Sequence, residues 1–395
     1  MHQTNHLAIV NHAKNIFDSK LSWISNCFRQ KNSLDTCKSY ISALMAKIER
    51  KNSWQMAEAC GYKNPYSFQN FINRAIWDAE LVQKSLGEEI LKNLAYKDSV
   101  MTIDETGFIK KGTQSAGVAH QYTGTVGKVE NCQIGVFLAY STNKGHTLLD
   151  RRLYLPKKWI DNHDRLKKVG LNPKKEKFKT KIDQAYEMLE SSYAIGFKPA
   201  WVTADCVYGE NGKFREKLEK KKQAYVLCVR SNHKIMGKNF EYFTTKDIID
   251  DLIQTEWKTL SSGIGSKGRR NYKWSMVDTK KSFCDGFSRF LLCRKSLKSM
   301  ERTYYLAFAP HGISLGELVR IAGRRWTVEE CFKTAKSQVG LDQYEVRTAK
   351  GWYRHITLAM VASATLLFAR NVFKQKRVKK AQMNEFKKKR GLSLV

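Results

Sequence analysis

Residues 99–108 read SVMTIDETGF and residues 199–209 read PAWVTADCVYG. Each is a short apolar run that closes on an aspartate, Asp104 in the first and Asp205 in the second. Apolar, β-branched runs bounded by glycine predict buried strands. An acid placed after such a run is costly to bury without a partner. It either turns to solvent, caps a turn, or meets other acids to do chemistry. Two strands of one predicted sheet ending alike add weight to the last reading. Glu105 sits beside Asp104, but in an extended chain it points to the opposite face, so Asp104 is the candidate.

Outward from these runs, NCQIGVFLAYS (131–141) and HTLLDRRLYLP (146–156) predict two more strands, with the turn signal Asn143-Lys144-Gly145 between them. KTKIDQAYEMLESSYAIG (179–196) predicts an amphipathic helix ending at Gly196. GKFREKLEKKKQ (212–223) predicts a short helix and AYVLCVRS (224–231) another strand. The order β-β-β-α-β-α-β is that of an RNase H-like α/β core, a mixed sheet with flanking helices. Residues 236–300 are rich in aromatics and short alternating runs such as NYKWSMVD and RFLLCRKS, and predict a β-rich inserted subdomain. The core resumes with TYYLAFAP, a long helix over about 315–339 and an apolar helix over about 352–373.

Residues 1–95 read as a helical domain. Within them NSWQMAEACGYKNPYSFQNFINRAIWD predicts two helices joined at Gly61–Tyr62, the first capped by Asn52 or Ser53. That is the outline of a helix-turn-helix DNA reader, and also of many plain helical hairpins. The expected division is 1–95 helical and DNA-binding, 96–235 first part of the core, 236–300 insertion, 301–373 second part of the core, and 374–395 basic tail. The tail carries nine Lys or Arg and one Glu, as a solvated end or a DNA-gripping arm.

Lys and Arg number 70 against 37 Asp and Glu, a net charge of +33. A surplus that large creates a field for polyanions, and nucleic acid is the commonest such partner. The nine cysteines are scattered without a C-x-x-C pair, which speaks against zinc and for reduced thiols in the cytoplasm. The apolar run 356–369 is too short to span a bilayer and predicts a buried helix, so no membrane partner is expected. No phosphate-cradling glycine motif occurs, so no nucleotide cofactor is expected. His120, His163 and His355 lack metal-ligand spacing, and lone histidines are usually structural. Lys174, Lys175, Lys177, Lys179 and Lys181 form a cluster that either tracks phosphates or starts a helix in solvent.

The third candidate acid is Glu329. On a helix, Val328, Cys331, Phe332, Ala335 and Val339 form one apolar stripe. Glu330 falls opposite it, toward solvent, and Glu329 falls at its edge with Arg325 and Lys336. An edge glutamate between cations suits a metal ligand with phosphate-binding helpers. A surface ion-pair row, Arg325–Glu329–Lys333, fits the same spacing. Phosphodiester chemistry needs an activated oxygen and a neutralised leaving group, and two magnesium ions held by a few carboxylates supply both.

At these residues the chain resembles the insertion-sequence transposases of the DDE superfamily. DETGFIKKG, SAGVAHQYTGTVGKVENCQIGVFLAY, DRRLYLPKKW, WVTADCVYG and RRWTVEECFKTAKSQVGLDQYEVRTAKGWYRHITLAM carry the likeness, from about residue 20 to 373. The resemblance implies catalytic, metal-holding acids at Asp104, Asp205 and Glu329, with Mg²⁺ as cofactor and Mn²⁺ as a substitute. It implies DNA contacts at Arg325, Lys333 and Lys336, where Arg325, Glu329 and Lys336 match a family signature. The tyrosine of that signature is Ala322 here, and Trp326 is the expected substitute. It further implies double-stranded DNA partners (inverted-repeat ends and target) and a homodimer in the active complex. Some relatives stack a flipped base on a tryptophan of the insertion, for which Trp257 and Trp274 are candidates; ordinary core packing is the competing reading. A structure-selective nuclease on the same fold, or an inactive DNA-binding regulator, would share much of this pattern. A two-carboxylate glycosidase would not explain the charge.

Overall fold

The computed structural model describes residues 14–236, 241–252, 256–265, 268–281 and 284–389. In chain order, helices α1 (Lys31–Met45), α2 (Ser53–Ala59), α3 (Tyr66–Asn73) and α4 (Ala79–Leu94) precede strands β1 (Val100–Ile109), β2 (Ala119–Thr123), β3 (Lys128–Thr142) and β4 (Gly145–Tyr154). Then come α5 (Lys181–Ile195), β5 (Trp201–Ala204), α6 (Cys206–Gly209), α7 (Gly212–Lys220), β6 (Tyr225–Val229), β7 (Lys234–Met236) and β8 (Tyr242–Thr244). Strands β9 (Lys258–Gly265), β10 (Gly268–Lys281), β11 (Phe287–Lys295) and β12 (Arg302–Pro310) lead to α8 (Leu315–Arg324), α9 (Trp326–Val339) and α10 (Ala349–Lys389). Contacts divide the chain into two units: residues 1–94, 334–346 and 350–395 in one, residues 95–333 and 347–349 in the other.

In the helical unit, the Asn52 side chain accepts from the Gln55 N–H and caps α2, as the sequence predicts. Gly61 takes φ 77° in the connection to α3. Phe71 and Trp77 stack at 5.0 Å. The buried Arg354 guanidinium covers them, donating to the carbonyls of Phe71, Ile72, Ala75 and Trp77. A cation at these orphan carbonyls both satisfies them and complements the end of α3. His355 is buried and structural: Nδ1 meets the Tyr40 hydroxyl at 2.9 Å and Nε2 meets the Gly340 carbonyl at 3.0 Å.

Helix α10 contains a stretch, Ala349–Arg377, long and apolar enough to cross a membrane by length and composition. Much of its apolar surface is packed inward instead: Trp352, Ile356, Leu358, Met360 and Val361 are fully buried, while Leu366 and Phe373 are exposed. The sequence predicted this helix to stop near residue 373. It continues to Lys389, so the described part of the expected tail is helical.

The other unit is built on a ten-stranded sheet. β1 pairs antiparallel with β3, and β3 with β4, while β5 and β6 run parallel to β1 on its other side. The resulting order β4-β3-β1-β5-β6, with β3 alone reversed against β1 and its parallel neighbours, is the RNase H-like arrangement. Helix α5 follows the expected course, with a Thr180–Asp183 capping box and Gly196 at φ 108°. The β2 hairpin arm on β3 was not foreseen. The β-rich insertion is joined directly to the core sheet: β12 pairs with β6, then β11, β10 and β9 follow antiparallel. The predicted helix over 315–339 is interrupted at Arg325, giving α8 and α9.

Candidate active site

The pairing of β1 with β5 runs from Val100↔Trp201 to Ile103↔Ala204. The next residue on each strand is an aspartate, Asp104 on β1 and Asp205 after β5. Asp104 does not end its strand as expected; β1 continues to Ile109 against β3 alone. It stands where the sheet loses its parallel partner, at the carboxyl ends that open α/β sheets use for ligands. Asp104 Oδ1 accepts the Glu105 N–H at 2.8 Å, and Asp205 Oδ1 accepts the Val207 N–H at 2.9 Å, capping α6.

Burial pushes the Asp104 carboxyl up to about 7, helped by the charge of Asp205 and opposed by Arg325. Burial also raises Asp205, with Glu105 the next cause. The two therefore form a desolvated pair of like charge. Glu105 is neutralised by Lys181 Nζ at 2.6 Å and accepts from the Tyr208 hydroxyl at 2.7 Å, while its charge still reaches Asp205. Lys181 and Lys179 thus belong to ion pairs, Lys179 with Glu187 at 2.7 Å. Lys174, Lys175 and Lys177 are exposed.

Arg325, at the break between α8 and α9, reaches both remaining groups. Its Nη1 lies 3.4 Å from Asp104 Oδ2 and its Nη2 donates to Glu329 Oε1 at 2.9 Å. Glu329 is exposed at the cleft. Glu330 does not face open solvent as expected: its carboxylate is 3.8 Å from His146 Nε2 on β4. Lys333 is exposed and Lys336 half-buried, with its ammonium disfavoured by burial. Among the described residues, no three His, Cys, Asp or Glu side chains gather closely enough to hold one metal ion. Asp104 and Asp205 are brought together, while Glu329 is joined to them through a guanidinium.

The cleft beside these groups measures about 530 Å³ and includes Asp205, Cys206, Cys228, Arg325, Trp326 and Glu329. Its far wall is Arg270, Tyr272 and Trp274 of β10, with Arg294 of β11 and Tyr305 of β12. The Arg294 guanidinium lies 4.6 Å from the Tyr272 ring centre, and that of Arg270 lies 5.0 Å from Trp326. Trp274 is fully buried and stacked on Tyr305 at 5.8 Å, and Trp257 packs on a second small core. Ala322, at the signature's tyrosine position, also lines the cleft. Gly323 permits the close approach of α8 to β9, since a Cβ there would lie 1.9 Å from the Ser262 carbonyl oxygen.

The sequence reading missed Arg270, Tyr272 and Arg294. The signal was present in GRRNYKW (268–274), where Arg270, Tyr272 and Trp274 alternate on one face of a strand.

An RNase H-like sheet with paired aspartates at the carboxyl ends of its central strands defines a class of nucleic-acid phosphotransfer enzymes. This chain belongs to the DDE superfamily endonucleases, whose family pattern matches residues 24–244, more than half of the chain. A second pattern, the transposase DDE domain, matches residues 179–365. The chain is 29% identical over 337 residues to the "Probable transposase for insertion sequence element IS701" of Microchaete diplosiphon, covering 83% of this chain and 81% of that one. Among solved structures, it is similar to a piggyBac transposase in a synaptic complex with hairpin DNA, at 11% identity and a TM-score of 0.47, over 88% of this chain and 67% of that one. Enzymes of this family generally use divalent metal ions.

Proposed function

We propose that this protein binds the terminal inverted repeats of an insertion sequence and carries out metal-dependent strand cleavage and transfer into target DNA. The observation that carries the reading is the one-step register from Ile103↔Ala204 to Asp104 beside Asp205. Two half-buried carboxylates that repel one another are an oxygen-donor set suited to Mg²⁺ or Mn²⁺. Asp104 and Asp205 would hold the metal, with Glu329 as the third ligand. Bound there, divalent ions activate an attacking oxygen and neutralise the leaving one.

The protein's own residues do the positioning. Arg325 offers a planar fork to phosphate when it exchanges its carboxylate partners for DNA. Arg270 and Arg294, each resting on an aromatic ring, extend the positive wall along the cleft. Lys333, Lys336 and Trp326 are proposed further DNA contacts. The α2–α3 hairpin, with Trp54 and Tyr66 exposed, is proposed to read the repeat. The active complex is proposed to be a homodimer on paired ends, working in the cytoplasm.

The test is cleavage of inverted-repeat DNA with Mg²⁺ or Mn²⁺ by wild type and by Asp104→Ala, Asp205→Ala, Glu329→Ala and Glu330→Ala. The first three should bind the ends without cutting, while Glu330→Ala cuts. Cutting retained by Glu329→Ala and lost by Glu330→Ala would overturn the assignment on α9.

A further inference from the structure

Cys206 and Cys228 have their sulfurs 3.2 Å apart. Cys206 opens α6, directly after Asp205, and Cys228 lies on β6. The β5–β6 pairing runs from Val202↔Tyr225 to Ala204↔Leu227, so one more step sets Asp205 against Cys228, with Cys206 one place beyond. Neighbouring strands stand about 4.8 Å apart, and disulfides bridge Cα atoms about 4.4–6.8 Å apart. Gly209 holds the α6 turn against this strand: a Cβ there would lie 1.9 Å from the Cys228 carbonyl oxygen. Both cysteines are half-buried, and both line the cleft.

We propose that Cys206 and Cys228 are a modification site: a peroxide converts them to a reversible disulfide inside the cleft, and the oxidised protein loses strand cleavage. The second half rests on the function proposed above. In the first step the Cys206 thiolate attacks one peroxide oxygen and the O–O bond breaks. The products are a sulfenic acid on Cys206 and hydroxide, which takes up the thiol's proton as water. The Cys228 sulfur then attacks the sulfenic sulfur, the S–S bond forms, and the hydroxyl leaves with the Cys228 proton as a second water. Two thiols and one hydrogen peroxide give one disulfide and two waters. The two sulfurs are oxidised and the peroxide oxygens reduced.

Closing the sulfur gap to about 2.05 Å draws the first residue of α6 toward β6. Asp205 is bonded to Cys206 and fixed by the Val207 N–H, so its carboxylate moves with that turn. Sub-ångström placement of a reacting group matters, because a misplacement of about 1 Å costs on the order of a hundredfold in rate.

The full-length protein is treated with hydrogen peroxide, and its peptides are mapped by mass without reduction. The expected product is a linked Cys206–Cys228 peptide pair lighter by two hydrogen atoms, restored by dithiothreitol and absent from Cys228→Ser. Cleavage of inverted-repeat DNA should fall about tenfold or more in oxidised wild type and recover on reduction. Cys206→Ser, which lacks the attacking thiol, should cut at the same rate with and without peroxide, relative to its own untreated sample. No linked pair, or irreversible oxidation of Cys206 alone, overturns the site. A linked pair with undiminished cleavage overturns the gate. If the reduced protein cuts no DNA, the function proposed above fails separately. The mass readout still decides the site, and loss of the Mn²⁺-induced rise in Tm on oxidation decides the gate.

Discussion

The Tyr208 hydroxyl donates to Glu105 Oε2 at 2.7 Å, and this bond ties the turn that follows Asp205 to the strand that bears Asp104. Each partner is a near neighbour of an aspartate, and neither points into the cleft. Tyr208 is fully buried, and Glu105 completes its neutralisation through Lys181. Tyr208→Phe leaves a half-buried carboxylate one donor short, at a cost of about 1.5–3 kcal/mol. The expected result in urea denaturation is a lower midpoint with an unchanged slope. Mn²⁺ affinity, measured by calorimetry, should fall as well; unchanged affinity would mean the bond serves folding alone.

Asp104 gives a pH signature in the metal-free protein. Its pKa rises from about 3.9 in the unfolded chain to about 7 when folded. The folded state therefore holds the proton more tightly. Stability from this group is full below about pH 4, falls as pH rises to about 7, and is flat above. Asp104→Asn removes the loss. Its stability advantage over wild type should grow across that window to about 1–4 kcal/mol at pH 8. Chemical denaturation at pH 4, 6 and 8 checks this, and a pH-independent difference would refute it. Divalent cations should stabilise wild type but not the variant.

Arg325 touches Asp104 and Glu329 at once, and its geometry is that of a fork. Arg325→Lys keeps the charge and loses the fork, so it should rescue little of the cleavage lost in Arg325→Ala. If the residue exchanges carboxylates for phosphate, Arg325→Ala should lower the salt dependence of end binding by about one unit of log–log slope. Binding isotherms between low and moderate salt measure it. An unchanged slope would assign Arg325 to carboxylate neutralisation only.

Arg354 is the corresponding keystone of the helical unit, buried and bonded to four backbone carbonyls. Arg354→Ala orphans those carbonyls and leaves the face of Trp77 uncovered. A loss of about 3–5 kcal/mol is expected, read as earlier melting of this unit by tryptophan fluorescence. A loss below about 1 kcal/mol would mean water replaces the guanidinium.

The parts of this molecule that were legible in the sequence are those with a local period. Asp104 and Asp205 stand out as candidates because each follows an apolar run, and the α2 cap because Asn52 precedes a helical pattern. Strand β2 was missed because AHQYT is polar, lying at the sheet edge with His120 and Tyr122 in water. The break at Arg325 leaves no mark in composition; it arises where α8 packs on β9 through Gly323. Glu330 was assigned to solvent because a helical wheel does not show that His146 of β4 waits beside it. The contact between Cys206 and Cys228 depends on a strand register, and a single chain read linearly does not contain it.

The β-rich insertion shares one unbroken ladder of backbone hydrogen bonds with the aspartate-bearing core, from β5 through β6, β12 and β11 to β10. Arg270 and Tyr272 are therefore mounted on the same plate as Asp205, several strands away, rather than on a hinged lid. A gap framed this way has one wall built into the sheet itself. On the function proposed above, a nucleic acid entering it bends, splays or unstacks to fit, and the cost of that deformation becomes a means of choosing which ends are cut.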